Sequence, residues 1–153
     1  IIYMVIKTKF FKRKPMPDTL LILFMSMLFF LFLAYLPIYF WITEKKLTVL
    51  NFVDGRHNLP EKGLKAKIAT LAFENYKETY PIFLTLCTLG ITMGIPLQHA
   101  SIIWLLSRFI HAPSYIFNWK WIRTLSWHLS LLCLMTMIFQ IIFLNRLTMF
   151  THF

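Results

Sequence analysis

Apolar residues in this chain come in long runs, not in alternation with polar ones, and four such runs are separated by short polar breaks. Residues 20–42 hold no charged side chain. As a helix, that run is longer than the ~30 Å hydrocarbon core of a bilayer. Residues 67–93, 97–117 and 121–144 form the second, third and fourth runs. Their punctuation is readable. Pro15, Pro17 and then Asp18 or Thr19 mark the start of the first helix. Asp54-Gly55 and Asn58-Leu59-Pro60 mark turns in the only long polar connection, 43–66. Gly94-Ile95-Pro96 ends the second run, and Asn118-Trp119-Lys120 ends the third. The tight turn at Gly94 predicts that runs two and three are antiparallel neighbours. Pro37 predicts a kink in the far end of the first helix, and Tyr35, Tyr39 and Trp41 fit the aromatic belt of a membrane interface.

The pattern predicts an all-α fold, an integral membrane four-helix bundle. It divides the chain into a basic N-terminal segment, 1–18, a transmembrane domain, 19–147, and a short tail, 148–153. Composition agrees: 58% of the 153 residues are hydrophobic and 14% charged, too little polar surface for a soluble domain of this size. The net charge is +10, and the basic residues cluster outside the apolar runs, where they meet anionic lipid headgroups and not nucleic acid. Five Lys/Arg precede Asp18 and six lie in the first connection with its flanking Lys67, so positive charge does not settle the orientation. Cys87 and Cys133 sit deep in apolar runs, as buried thiols do, and a disulfide framework is not expected. The apolar run after the basic segment is too long for a signal peptide. A multi-pass protein of a bacterial inner membrane or an organellar membrane follows.

Polar residues inside the runs carry the candidate chemistry. Asn75, Lys77 and Glu78 lie within a run long enough to cross a bilayer, and hydrocarbon does not solvate a carboxylate. On a helix Lys67, Leu71, Asn75 and Glu78 share one face. Arg108, His111 and Tyr115 share a face of the third helix, with Pro113 loosening the backbone among them. A lone charge at mid-membrane costs about 2.5–3.5 kcal/mol on insertion scales, so Glu78 and Arg108 are expected to meet across helices two and three. That meeting either only holds the helices together or organises a polar pocket. His111 reads as a hydrogen-bonded packing residue, and Arg123 as an interfacial anchor or a charge aimed into the pocket. No His/Cys/Asp/Glu group has ligand spacing, so no metal is expected. Walker loops, Rossmann glycine patterns, nucleophile elbows and HExxH are all missing from the chain.

Two blocks resemble the MAPEG family, the membrane-associated proteins of eicosanoid and glutathione metabolism. The stretch Ala72-Phe73-Glu74-Asn75-Tyr76-Lys77-Glu78-Thr79-Tyr80-Pro81-Ile82-Phe83 is similar to the family's Ala-x-x-Asn-x-x-Glu-Thr followed by Pro and Phe. Arg108-Phe109-Ile110-His111-Ala112-Pro113-Ser114-Tyr115, with Arg123-Thr124-Leu125-Ser126-Trp127, is similar to Arg-x-x-x-Ala-Pro-x-Tyr and Arg-Thr/Ser-x-x-Trp/Tyr, above all in small bacterial members. The likeness covers about residues 20–147. It implies a homotrimer, or association with partner subunits of a membrane complex, and glutathione held as co-substrate between neighbouring subunits. It implies that Asn75 and Glu78 belong to the polar cluster of helix two and that Arg108 and Tyr115 line the site. Arg123 would steady the glutathione thiolate, a free thiol having a pKa near ~8.5. Glutathione-using members carry arginines four and seven residues before this Asn, holding the peptide's carboxylates; here Leu71 and Ile68 stand there. An aliphatic chain cannot replace a bidentate guanidinium, and Lys67, one turn before Leu71, is the candidate substitute. Three functions stand side by side: a glutathione-dependent transferase or peroxidase acting on lipophilic electrophiles, a non-catalytic accessory subunit, and a lipid-binding protein that uses the cleft without chemistry.

Overall fold

A computed structural model describes residues 18–44 and 59–150, with side chains to residue 144. The basic N-terminal segment, the turn signals of the first connection up to Asn58, and residues 151–153 lie outside the described residues. Among the described residues there are four helices: α1 (Asp18–Thr43), α2 (Leu64–Met93), α3 (Gln98–Ile116) and α4 (Lys120–Phe150). α4 continues six residues past the apolar run that ends at 144, because Asn145-Arg146-Leu147-Thr148-Met149-Phe150 offers no Gly or Pro to stop it. α1, α2 and α3 run on through Pro37, Pro81 and Pro113.

Helix ends follow from local chemistry. Glu44, just past α1, accepts the Lys65 amide at 3.0 Å, placing a carboxylate at the N-terminus of α2 where the helix dipole favours it. Gly63 permits this approach, since a Cβ there would lie 1.8 Å from Glu44 Oε2. α2 closes on Gly94, whose φ of 68° is the left-handed region that glycine tolerates. The Ile95 amide then returns to the Gly90 carbonyl at 2.8 Å, as in a Schellman ending. Asn118, between α3 and α4, takes a φ of 54°, a conformation asparagine adopts more readily than most residues.

Neighbouring helices alternate in direction. Tyr76 Oη donates to the Ser26 carbonyl at 3.0 Å, while Trp41 packs with Ala66 at the other end of α1. Phe83 stacks on Trp104 at 3.7 Å and 7°, and Arg108 meets Thr79, so α3 runs back along α2. Ala66, Ala69 and Ala72 are fully buried, and these small side chains let helix backbones approach closely. On α1 the buried stripe is Thr19, Ile22, Ser26, Phe29, Leu33, Pro37 and Trp41, spaced by three and four residues, while Leu28 (61% exposed) and Leu31 (62%) face outward. Thr19 and Ser26 turn inward with the apolar stripe while further leucines cover the outside, the arrangement of a helix whose solvent is lipid. α1 and α4 are long and apolar enough to cross a bilayer, with mean hydropathies of 2.5 and 2.0. Cys87 and Cys133 are buried and unpaired, and the Cys87 sulfur lies 3.6 Å from Ser101 Oγ.

Candidate functional site

Helices α2, α3 and α4 enclose an open polar cavity of about 300 Å³, lined by Asn75, Glu78, His111, Tyr115, Arg123, Thr124 and Trp127. It lies toward the end of the bundle where α2 begins, α3 ends and α4 begins. Asn75 Nδ2 donates to Tyr115 Oη at 2.6 Å, joining α2 to α3. The Arg123 guanidinium stands over the Tyr115 ring, 4.9 Å from its centre, a cation–π geometry that holds the charge over the cavity without neutralising it. Among the described residues no carboxylate forms an ion pair with Arg123.

His111 is tied to α4. Its Nδ1 lies 3.0 Å from the Arg123 carbonyl and 3.1 Å from Ser126 Oγ. A carbonyl only accepts, so Nδ1 carries the hydrogen and Nε2 is left as an acceptor. Nε2 is buried and has no partner among the described residues. The hydrogen bond expected of a packing histidine is therefore present, and the same ring also lines the cavity.

Arg108 lies behind this cavity, not in its wall. It is 1% exposed, and its Nη2 donates to Thr79 Oγ1 at 2.7 Å. Its guanidinium carbon is 5.5 Å from the Trp104 ring centre, and Nε and Nη1 have no partner among the described residues. The expected meeting of Glu78 with Arg108 does not form. Glu78 is exposed at the cavity, and the ion pair among the described residues is Lys77 with Glu74 on one helix, at 2.8 Å. The reason is angular: consecutive residues differ by about 100° around a helix. Turning Thr79 inward to Arg108 leaves Glu78 at the cavity edge.

The remaining predicted residue, Lys67, is exposed and does not line the cavity; it lies about three turns from Glu78 along α2. Leu71 is 56% exposed and Ile68 half-buried, and neither reaches the cavity. Five of the residues singled out from sequence, Asn75, Glu78, His111, Tyr115 and Arg123, thus come together, with Arg108 buried beside them and Lys67 apart. Thr79, as the acceptor for Arg108, and the cavity residues Thr124 and Trp127 were not singled out individually. Thr124 and Trp127 follow Arg123 by one and four positions, and that spacing was the available signal.

Comparisons with curated proteins and with solved structures return no match. The model of the MAPEG family matches residues 19–143, which include α2, α3, nearly all of α1, most of α4 and every residue of the cavity. With the two blocks now lying across the three helices that build one polar cavity, the chain belongs to the MAPEG family and is a membrane protein.

Proposed function

We propose that the cavity binds glutathione and that the protein is a glutathione-dependent transferase or peroxidase for lipophilic electrophiles arriving through the bilayer. The observation that carries this reading is Arg123, a cation held over Tyr115 at the cavity with no carboxylate paired to it among the described residues. A cation so placed favours a thiolate over a thiol. Glu78 and Asn75 offer an acceptor for the peptide's ammonium and an amide for its backbone. In the transferase reaction the thiolate sulfur forms a bond to the electrophilic carbon, and the displaced pair leaves with the departing group or takes up a proton. In the peroxidase reaction two thiols become a disulfide as a hydroperoxide becomes an alcohol and water.

The reading includes four membrane crossings and a homotrimer. Lys67, Leu71, Glu74, Glu78, Pro81, Thr85, Thr88 and Thr92 are all exposed and alternate four and three residues apart along α2. That is a 3.5-residue seam, the repeat by which helices pack on one another. A seam holding two carboxylates is unsuited to lipid and suited to a neighbouring subunit or water. A second reading, a non-catalytic accessory subunit, is favoured by Leu71 and Ile68, which supply no guanidinium for the peptide's carboxylates.

Mixing the purified protein with glutathione distinguishes the two. The transferase reading expects binding heat by isothermal titration and thiolate ultraviolet absorbance, the absorbance being lost in Arg123→Ala. No heat at millimolar glutathione, together with co-purification in a larger membrane complex, would establish the accessory reading instead.

A further inference from the structure

A second cavity, of about 580 Å³, is a groove between α1 and α3 lined only by apolar residues, among them Met25, Leu28, Phe32, Leu36, Ala112 and Ile116. It is separate from the polar cavity. Ala112, Pro113 and Ile116 line the groove while His111 and Tyr115 line the polar cavity, so α3 stands between the two. We propose that this groove holds one acyl chain of an anionic phospholipid whose phosphate is met by Lys120. The site is independent of the thiol chemistry proposed above.

Three observations carry it. The first is depth. Met25 to Leu36 spans a rise of ~16 Å along α1, against ~15 Å for one leaflet's half of a ~30 Å hydrocarbon core. On α3 the groove runs from about the middle of the helix at Phe109 to just past its end at Phe117. The second is width. About 580 Å³ over ~16 Å is a cross-section of ~36 Å², under half the ~80 Å² of a helix ~10 Å across. A whole helix would lie across the groove and not within it, whereas a flexible hydrocarbon chain fits inside.

The third is the groove's polar end. Phe117 lines the groove and stacks on Trp119 at 5.1 Å. Trp119 in turn lines a smaller cavity with Asn118, Lys120 and Trp121, at the turn between α3 and α4. Lys120 is exposed and has no carboxylate partner among the described residues. Indole rings and an ammonium at this level match a headgroup region. The arrangement is apolar for one leaflet's depth and then abruptly cationic.

The test uses the full chain in phosphatidylcholine bilayers containing phosphatidylglycerol with a diazirine in mid-acyl chain, with labelled residues mapped by mass spectrometry. Labels on 25–36 and 109–117 are expected in several-fold excess over the outward residues of α4, Leu132, Met135 and Phe139, which are 63%, 66% and 66% exposed. Equal labelling of the groove and of α4 would mean unselective lipid contact and overturns the proposal. So does a groove left unlabelled, as when another copy of the chain covers it. Leu28→Trp fills the groove from a position that is already exposed, and is expected to lower groove labelling several-fold with α4 labelling unchanged. Lys120→Gln is expected to reduce the preference for a phosphatidylglycerol probe over a phosphatidylcholine probe about fivefold. An unchanged preference removes the headgroup contact and with it the choice of an anionic lipid.

Discussion

Arg108 and Arg123 are the same residue type in one polar region, and their surroundings differ in kind. Arg108 is sealed between α2 and α3, with a threonine hydroxyl as acceptor and an indole face beside it. Arg123 is half-buried at an open cavity, lying on a tyrosine ring. A buried cation without a carboxylate is held by dipoles and π-density and is poorly placed to meet an entering molecule. A cation on an aromatic face at a cavity keeps its field available. Exposure and partner separate an arginine sealed in the packing from one left available to a ligand.

The largest expected effect that would sharpen this contrast is on stability. Arg108→Ala removes a large buried side chain and should destabilise the bundle by about 2–5 kcal/mol, seen as a lowered unfolding midpoint in detergent. Arg108→Met, which fills the space without a charge, should restore most of that loss. If Arg108→Met is instead as unstable as Arg108→Ala, the charge itself holds the helices together and the contrast is broken. Next comes Arg123→Ala, expected to leave the midpoint almost unchanged and to lower thiolate formation or turnover about 100-fold, the usual scale for removing one electrostatic stabiliser. A large drop in stability with no change in the thiolate signal would make Arg123 an anchor.

Thr79→Val deprives Arg108 of its acceptor and should cost about 1–3 kcal/mol, with glutathione binding retained. A loss of binding at unchanged stability would move Arg108 into the binding site. The smallest effect is expected from Tyr115→Phe. It loses the bond from Asn75, worth ~0.6 kcal/mol for an average interhelical bond in a membrane, and keeps the ring under Arg123. Thiolate absorbance should then survive, whereas Tyr115→Leu, which removes the ring, should diminish it.

Much of the site was legible because helical spacing is local. Arg108, His111 and Tyr115 at three and four residues apart had to share a face, and the Asn75 and Tyr115 blocks were recognisable as family patterns before any packing was known. The partner of Arg108 was not legible: Glu78 was expected, and Thr79 stands there instead. It depended on a rotation of α2 of about 100°, the difference between offering Glu78 and offering Thr79. Lys67 failed as a cavity residue for a related reason. Residues on one face of a long helix spread along it, and Lys67 lies about three turns from Glu78. The dual position of His111 was hidden too, because its partner is the backbone carbonyl of Arg123, and a main-chain group leaves no trace in residue identities.

By itself the sequence determined where helices run and where α2 and α3 stop, because hydrophobic length and the conformational limits of Gly, Pro and Asn act on adjacent residues. It also determined which polar side chains must be kept from lipid, since that cost belongs to the residue and not to its neighbours. Tertiary structure alone decided which face of α1 turns inward, since nearly every position on that helix is apolar. It decided which of two adjacent residues answers Arg108, and which arginine remains available to a ligand. Those choices rest on how whole helices rotate and pack against one another, a balance summed over many small contacts between residues far apart in the chain.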